Sequence, residues 1–542
     1  ASVPVISGAE GARSDPREIA TEVRAMGLPV LLKAVGGGGG RGQRLVTDET
    51  TLEEDIEGAL REARSTFGSE GLLLERFLPE ARHVEVQIAG DGKGHVVHLF
   101  ERDCTLQRRH QKVIEEAPAW GLPRTLLDQI AQDAVRLGET LDYRGLGTVE
   151  FLVAGEEYFF LEVNPRIQVE HPVTEAITGL DLVALHLRIA EGAGLGLVQD
   201  DLAINGHAVE ARLYAEDPAM QFAPSTGTLT TLSLPDGLRI DSGVEEGDAV
   251  TPFYDPMIAK LIVHAPDRET ALARLATALD HVAVEGVQTN RAFLTALARN
   301  PEFEQMQVHT RWIDGKLDAL TQSGPLARPE LWKAAAAILF VAASRSDASA
   351  NPWTNRDTFT GWRLGLGGGP IEVVQRVTLT DSADTSEELR VGPVKARGRY
   401  TVLTENGIAA TLSMREVAPG RWRVSEGDTV YLIDARIHAG VIEMATPEGR
   451  LVYRPAAPLD FAGGDAAADR AVASPLTGMI VEIKVADGQP VAEGDVIAVM
   501  ESMKLEISIR AAAAGIASNI SVSNGDMVDR GQVIAEILPS EE

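Results

Sequence analysis

The sequence predicts a multidomain chain of α/β or α+β class, and three observations carry that prediction. Strand-like apolar runs alternate with helical stretches from residue 1 to about 320. Between about 325 and 460 the texture changes to one Ala-rich helix followed by short alternating strands. The last 70 or so residues contain an internal repeat. A length of 542 residues suits three or four domains of about 150 residues each.

Taken in chain order, Pro29–Lys33 reads as a buried strand. The glycine run Gly36–Gly40 with Arg41-Gly42 holds a literal G-x-G-x-x-G, but Arg44-Leu45-Val46 behind it reads as a second strand, not a helix. The context is therefore a strand–glycine–strand hairpin and not a dinucleotide fingerprint. Such a hairpin either offers backbone N–H groups to phosphates, with Lys33 as a point charge, or is a flexible surface loop. Leu52–Arg64 is an expected helix with Ile56, Leu60 and Ala63 on one side. The run Glu101–Lys112 (ERDCTLQRRHQK) concentrates Arg102, Arg108, Arg109, His110 and Lys112. It reads as an anion pocket or as a salt-bridged surface strand, and Cys104 as a packing residue.

Thr148–Val153 and Tyr158–Val163 form an expected hairpin, and beyond it Glu162, Asn164, Arg166, Gln168 and Glu170 recur at period two. If that stretch is extended, all five share one face. Glu150, Glu162 and Asn164 offer hard oxygen donors for a nucleotide-bound Mg²⁺, Arg166 a fork for an oxyanion, and Glu170 a base. Glu269–Leu279 is a further helix, and Leu331–Ala343 opens the middle region, where Gly398–Leu403 and Thr429–Ile433 suggest a small antiparallel β unit. Pro455–Asp469 is a linker rich in Ala, Pro, Gly and Asp. In the repeat, Gly478–Gly488 aligns with Gly515–Gly525 at a shift of 37 residues, and Val491 and Gly494 align with Val528 and Gly531. Two copies imply a flattened β-barrel with a pseudo-twofold axis. Between them Met500–Glu506 must turn, placing Lys504 on an exposed hairpin tip.

The formal charge of −30, from 50 basic and 80 acidic residues, argues against nucleic acid and anionic membrane as partners. A single cysteine forms no internal disulfide, which fits a reducing compartment. No apolar run reaches the ~18 residues of a membrane span, and no signal peptide precedes the first strand.

The Lys33–glycine hairpin, Glu75–Leu78, the ERDCTLQRRHQK run and Glu162–Glu175 (EVNPRIQVEHPVTE) together resemble the biotin carboxylase form of the ATP-grasp fold. Ser502-Met503-Lys504-Leu505 resembles a biotin attachment loop, whose usual core is Ala-Met-Lys-Met. The order of the parts resembles an acyl-CoA carboxylase α subunit. The resemblance implies a lid subdomain at 1–75, the rest of the carboxylase at 76–322, and a small α/β-barrel-like partner-docking domain at 323–460. A linker at 461–470 and a flattened β-barrel biotinyl domain at 471–542 complete it. It implies covalent biotin on Lys504, with ATP contacts from Lys33, Gly38, Gly39, Gly40, Glu75, Leu78, His83, Gln107 and His110. Mg²⁺ or Mn²⁺ falls to Glu150, Glu162 and Asn164, and bicarbonate to Lys112, Arg166, Gln168, Val169 and Glu170. Glu170 would be the base and Arg212 the group that stabilises the biotin enolate.

The implied partners are a carboxyltransferase β subunit in a large α/β hetero-oligomer and, transiently, biotin protein ligase. The implied location is the cytoplasm of a bacterium or an organelle matrix of a eukaryote. Ala1 matches a point well inside the family's carboxylase, so an N-terminal subdomain is expected to be missing. Asn351-Pro-Trp and Gly361-Trp362-Arg363 look closer to methylcrotonyl-type subunits than to propionyl-type ones, and the alternative is the α subunit of a propionyl-CoA, geranyl-CoA or other acyl-CoA carboxylase. A different ATP-grasp ligase needs no swinging arm, and a catalytically dead scaffold need not keep Glu150, Glu162, Asn164, Arg166, Glu170 and Arg212. A lipoyl carrier would usually read Asp-Lys-Ala at the tip.

Overall fold

The computed structural model describes residues 1–9, 11–36, 42–69, 71–322, 328–346, 375–381, 385–393, 399–404, 407–438, 441–446, 449–455, 471–503 and 505–538. Gly38, Gly39, Gly40, Lys504 and the Trp353 and Trp362 motifs lie outside them.

The first unit is built on an antiparallel three-stranded sheet in the order Gln43–Val46, Val30–Ala34, Leu72–Arg76. Two helices cover it. Pro16–Met26 starts where Asp15 accepts from the Arg17 N–H at 2.8 Å. Leu52–Phe67 stops at Gly68, whose φ of 61° suits a residue without Cβ. Ile19, Val23, Leu32, Ile56 and Leu72 close a core between helices and sheet. The strand alternation leaves Lys33 and Glu75 paired on the opposite face.

The catalytic region rests on an eight-stranded, wholly antiparallel sheet. Its order is Arg239–Ser242, Met257–Ala265, His207–Tyr214, Gln111–Ala117, Val96–Arg108, Arg82–Asp91, Arg144–Ala154, Glu157–Asn164. Arg124–Thr140 packs on one face through Leu127, Ile130 and Ala134. Arg268–Asp280 and Arg291–Ala298 build a second core with Leu261, Leu275 and Phe293.

Two readings of this region are corrected. The polar column does not continue as a strand: it ends at Asn164, where Pro165 has no N–H for the ladder, and the chain bends at Arg166. Arg166 is exposed, whereas Gln168 and Glu170 turn inward and are buried. Nor is ERDCTLQRRHQK a surface strand or a single cationic pocket. Glu101 to Arg108 is buried, Arg108 stacks over the Phe222 ring at 4.0 Å, and only the turn residues Arg109 and His110 reach solvent before Gln111.

The expected small β unit of the middle region is a closed eight-stranded barrel spanning Gln375 to Pro455, sealed by Leu379 pairing with Pro455. Helix Pro329–Ser346 lies within the same core. Its run Ala334–Ala337 is wholly buried, as small residues allow on a helix surrounded by strands. In the last unit two four-stranded sheets face each other. Gly478 pairs with Val528 and Gly515 with Val491, two pairs related by the 37-residue repeat. The Gly488 N–H donates to Ala517 and the Gly525 N–H to Ile480, which is the same twofold relation. A Cβ at Gly478 or Gly515 would stand 2.5 or 2.3 Å from a carbonyl oxygen of the neighbouring strand, so both copies require glycine there. Among the described residues no helix is long and apolar enough to cross a membrane.

Candidate active site

The main sheet gathers charged side chains on one face because strand alternation points every second residue the same way. His83, Glu85 and Gln87 come from one strand, Glu150 from its neighbour, and Lys112 from the hairpin that turns at Arg109 and His110, whose φ values are 47° and 65°. Glu170 caps helix His171–Thr178, and Arg212 lies on His207–Tyr214.

Lys112 is the hub. Its Nζ donates to Glu170 Oε1 at 2.6 Å, to Glu150 Oε1 at 3.1 Å and to Glu85 Oε2. Arg212 Nη2 donates to the other Glu170 oxygen at 2.9 Å. Burial and nearby Glu85 push the Glu170 carboxyl up, but Lys112, Arg212 and Arg102 outweigh them and hold it below the usual carboxylate range. Glu170 is thus ionised, dry and clamped between two cations.

Glu150 is also held below the usual carboxylate range: burial raises it, and His83, Lys112 and the Gln168 amide overcome that. Asn164 Nδ2 lies 3.0 Å from Glu150 Oε1 and 3.2 Å from Glu162 Oε1, occupying the point where two carboxylates converge. His83 Nε2 is buried 3.2 Å from Glu150 Oε2. The converging carboxylate oxygens of Glu150 and Glu162 are hard donors that fit Mg²⁺ or Mn²⁺, and Asn164 would join them through its Oδ1.

The structure therefore brings together Lys112, Glu150, Glu162, Asn164, Gln168, Glu170, Arg212 and His83. Arg166 reaches this group by donating to Asn164 Oδ1 at 3.2 Å. Val169 contributes its carbonyl, which accepts from Lys260 at 2.7 Å. Lys33 and Glu75 form an ion pair on the lid sheet, and His110 is within electrostatic reach of both Lys33 and His83. Gln107 is buried three residues before that turn, and Leu78 is half-buried just beyond the lid strand.

Sequence reasoning missed Glu85 and Arg102. Arg102 is fully buried and donates to Glu85 at 2.5 Å, Gln87 at 2.8 Å, Thr174 at 3.0 Å, and Thr148 and Gln168 at 3.1 Å. The alternation His83-x-Glu85-x-Gln87 was the available signal. Arg102→Met leaves Glu85 without one of its two cations and strands four other polar groups. It is expected to destabilise the carboxylase unit by about 3–5 kcal/mol, read as a lowered thermal midpoint. An unchanged midpoint would refute the clamp.

The last unit touches this region. Met503, beside Lys504, is buried with φ 48°, and its N–H donates to the Pro252 carbonyl at 2.9 Å. Ala223 packs against the core of the last unit. The loop beyond Pro252 reaches Asp255, which acts on Tyr214, and Tyr214 is itself hydrogen-bonded to Arg212. Burial pushes the Tyr214 phenol up to about 12.

Three protein families match the chain: the ATP-binding domain of the carbamoyl-phosphate synthase L chain over residues 1–198, the biotin carboxylase C-terminal domain over 210–315, and the biotin-requiring enzyme domain over 470–537. The mitochondrial methylcrotonoyl-CoA carboxylase subunit alpha of Mus musculus is 36% identical over 560 residues, covering 100% of this chain and 76% of that protein. The mitochondrial propionyl-CoA carboxylase alpha chain of Homo sapiens is 34% identical over 572 residues, covering 99% and 74%. Among solved structures, the biotin carboxylase domain of Hydrogenobacter thermophilus 2-oxoglutarate carboxylase, bound to MgADP, ADP and bicarbonate, is 40% identical. Its TM-score is 0.57, covering 59% of this chain and 71% of that one.

Proposed function

The chain belongs to the biotin-dependent acyl-CoA carboxylase α subunits, and from that premise we propose that it carboxylates biotin carried on its own Lys504 for transfer to 3-methylcrotonyl-CoA. It is an ATP-dependent ligase with biotin carboxylase activity, and its cofactors are biotin, ATP and a divalent cation. Transfer to the acyl-CoA falls to a separate carboxyltransferase β subunit in a hetero-oligomer, and biotin protein ligase is the transient partner that loads Lys504.

The observation that carries this reading is the clamp on Glu170, 2.6 Å from Lys112 and 2.9 Å from Arg212. A carboxylate held by two cations is a weak base while nothing else occupies the site. Bicarbonate, itself an anion, competes for Lys112, Arg212 and Arg166. As their grip on Glu170 loosens, its proton affinity rises next to the bicarbonate proton it takes up. Glu150, Glu162 and Asn164 would hold the divalent cation, which would supply charge neutralisation for the transferring phosphoryl group. Lys33 adds a point charge from the lid sheet, and closure of the lid excludes water. Arg212, freed from Glu170, can then face the negative charge that develops on the biotin ureido oxygen. The Met503–Pro252 contact supports delivery of biotin at the Arg212 end of the site.

The methylcrotonoyl relatives are 33–36% identical to this chain and the propionyl ones 34%, so the choice of 3-methylcrotonyl-CoA rests on the Asn351-Pro-Trp and Gly361-Trp362-Arg363 sequences. The test is to purify the complex from its native cells, identify the β subunit, and assay a panel of acyl-CoAs. The expected result is highest kcat/KM for 3-methylcrotonyl-CoA. A preference for propionyl-CoA or geranyl-CoA would overturn the substrate and leave the carboxylase reading standing.

A further inference from the structure

Beneath the clamp lies a pair of carboxyls that the chemistry above leaves unused. Glu115 and Glu210 stand directly opposite each other on adjacent antiparallel strands, and both are fully buried. Arg212 lies two residues beyond Glu210 on the same face. Its Nε donates to Glu115 Oε1 at 2.5 Å while its Nη2 holds Glu170. The second Glu115 oxygen and both Glu210 oxygens have no hydrogen-bond partner among the described residues.

Glu116 is the internal control. One residue along, it points to the other face of the sheet and accepts from Arg268 at 2.6 Å and from His207 at 2.8 Å. Burial raises it, but those partners outweigh burial and leave it below the usual carboxyl range. Glu115 has only Arg212, which it shares with Glu170, and Glu210 accepts no hydrogen bond from the described residues. The charged groups facing them are Arg212, Glu170, Lys260 and Lys112. Lys112 is committed to Glu85, Glu150 and Glu170, and Lys260 to the Val169 carbonyl and to Asp241 at 3.3 Å. Burial pushes Glu115 up to about 7 and Glu210 well above the carboxyl range. A carboxyl with both oxygens buried and unpartnered takes up a proton more readily than it keeps an unpaired charge.

We propose that Glu115 and Glu210 share a proton in the working enzyme and act as positioning residues that set how much of the Arg212 charge is free for an anionic substrate. With the proton in place, Glu115 draws only weakly on Arg212. When that proton leaves, the pair passes from one negative charge to two, and the added charge beside Arg212 competes with bicarbonate for it. A carboxyl with a raised pKa is neutral at low pH and charged at high pH, so the competition sets in from about pH 7 upward. The KM for bicarbonate should then rise on the order of tenfold between about pH 6.5 and pH 9. This inference rests on the bicarbonate reading of the site.

The test uses the biotinylated holoenzyme at fixed bicarbonate concentrations. In wild type, infrared spectra recorded without substrates should show a protonated-carboxyl band at neutral pH that fades as the KM for bicarbonate climbs. Glu210→Gln, a neutral isostere, should lose both the alkaline rise in KM and this pair's share of the band, read as a difference spectrum against wild type in which Glu216, also raised to about 7, cancels, and Glu210→Asp should restore both. A folded Glu210→Gln enzyme with the wild-type KM profile would overturn the proposal. So would a wild-type protein with no protonated-carboxyl band, a result that stands even if the variant fails to fold. ATP cleavage that does not depend on bicarbonate would instead end the underlying reading, and the infrared result separates the two failures.

Discussion

Glu170→Gln lowers bicarbonate-dependent ATP cleavage by ~10²–10⁴-fold, the usual contribution of a general base, while ATP binding and fold remain. Glutamine matches the shape of the carboxylate but takes no proton. The surroundings tolerate the change, because Lys112 retains Glu85 and Glu150 and Arg212 retains Glu115. Lys112 stays paired with two carboxylates and Arg212 keeps its hydrogen bond to Glu115, so no buried cation loses every partner and the variant loses chemistry more than fold. In wild type the depressed pKa of Glu170 keeps it ionised across neutral pH, and the activity that depends on it is lost only as pH falls through that depressed value. The acid limb of kcat/KM for bicarbonate, which reports the free enzyme, should therefore lie below the ordinary carboxylate range. The measurement is single-turnover ATP cleavage with and without bicarbonate, alongside a nucleotide-binding titration. Turnover within about tenfold of wild type would remove Glu170 from the base role.

What the sequence showed locally matches what local physics decides. The glycine hairpin, the 148–163 hairpin and the helix from Leu52 follow from periodicity and turn chemistry, and the structure has strands at Val30–Ala34 and Gln43–Val46 and a helix at Leu52–Phe67. The carrier barrel follows from the repeat, because identical turns and glycines at a fixed shift must occupy equivalent places. The polar column failed at Pro165, where a period-two pattern outran the strand that would carry it.

Other features depend on register between distant segments. Nothing near Glu115 marks it as the partner of Glu210, since the pairing arises only when two strands far apart in sequence align. Arg102 read as part of a cationic run because its neighbours are basic, whereas its real partners, Glu85 and Gln168, arrive from other segments. Barrel closure by Leu379 and Pro455 is equally non-local. Among the catalytic candidates, those within one short motif (Glu162, Asn164, Arg166, Gln168, Glu170) were legible together, and the groups that tune them were not.

Lys504→Arg removes the biotin-sized mass addition from the intact protein and abolishes carboxylation of the acyl-CoA, while carboxylation of free biotin persists. Arginine keeps the positive charge, but its guanidinium stays protonated and offers no free amine for an amide bond. The turn itself should survive. Ser502 pairs with Leu505 across the strand ends that flank the tip, and Ser502 Oγ donates to the Thr477 carbonyl at 2.8 Å. Met503 accepts the positive φ and is buried against the Pro252 loop. The change therefore falls on attachment chemistry and not on folding, and the thermal midpoint should move little. Tethering makes the loss complete, because the attached cofactor is present at an effective concentration that free biotin does not match. Mass spectrometry of the peptide containing residue 504, paired with free-biotin and acyl-CoA assays, separates the possibilities. Biotin retained at another lysine would overturn the carrier assignment. Loss of free-biotin turnover together with the mass addition would show that the tip takes part in building the carboxylase site, and that the Met503–Pro252 contact is then a catalytic requirement as well as a delivery point.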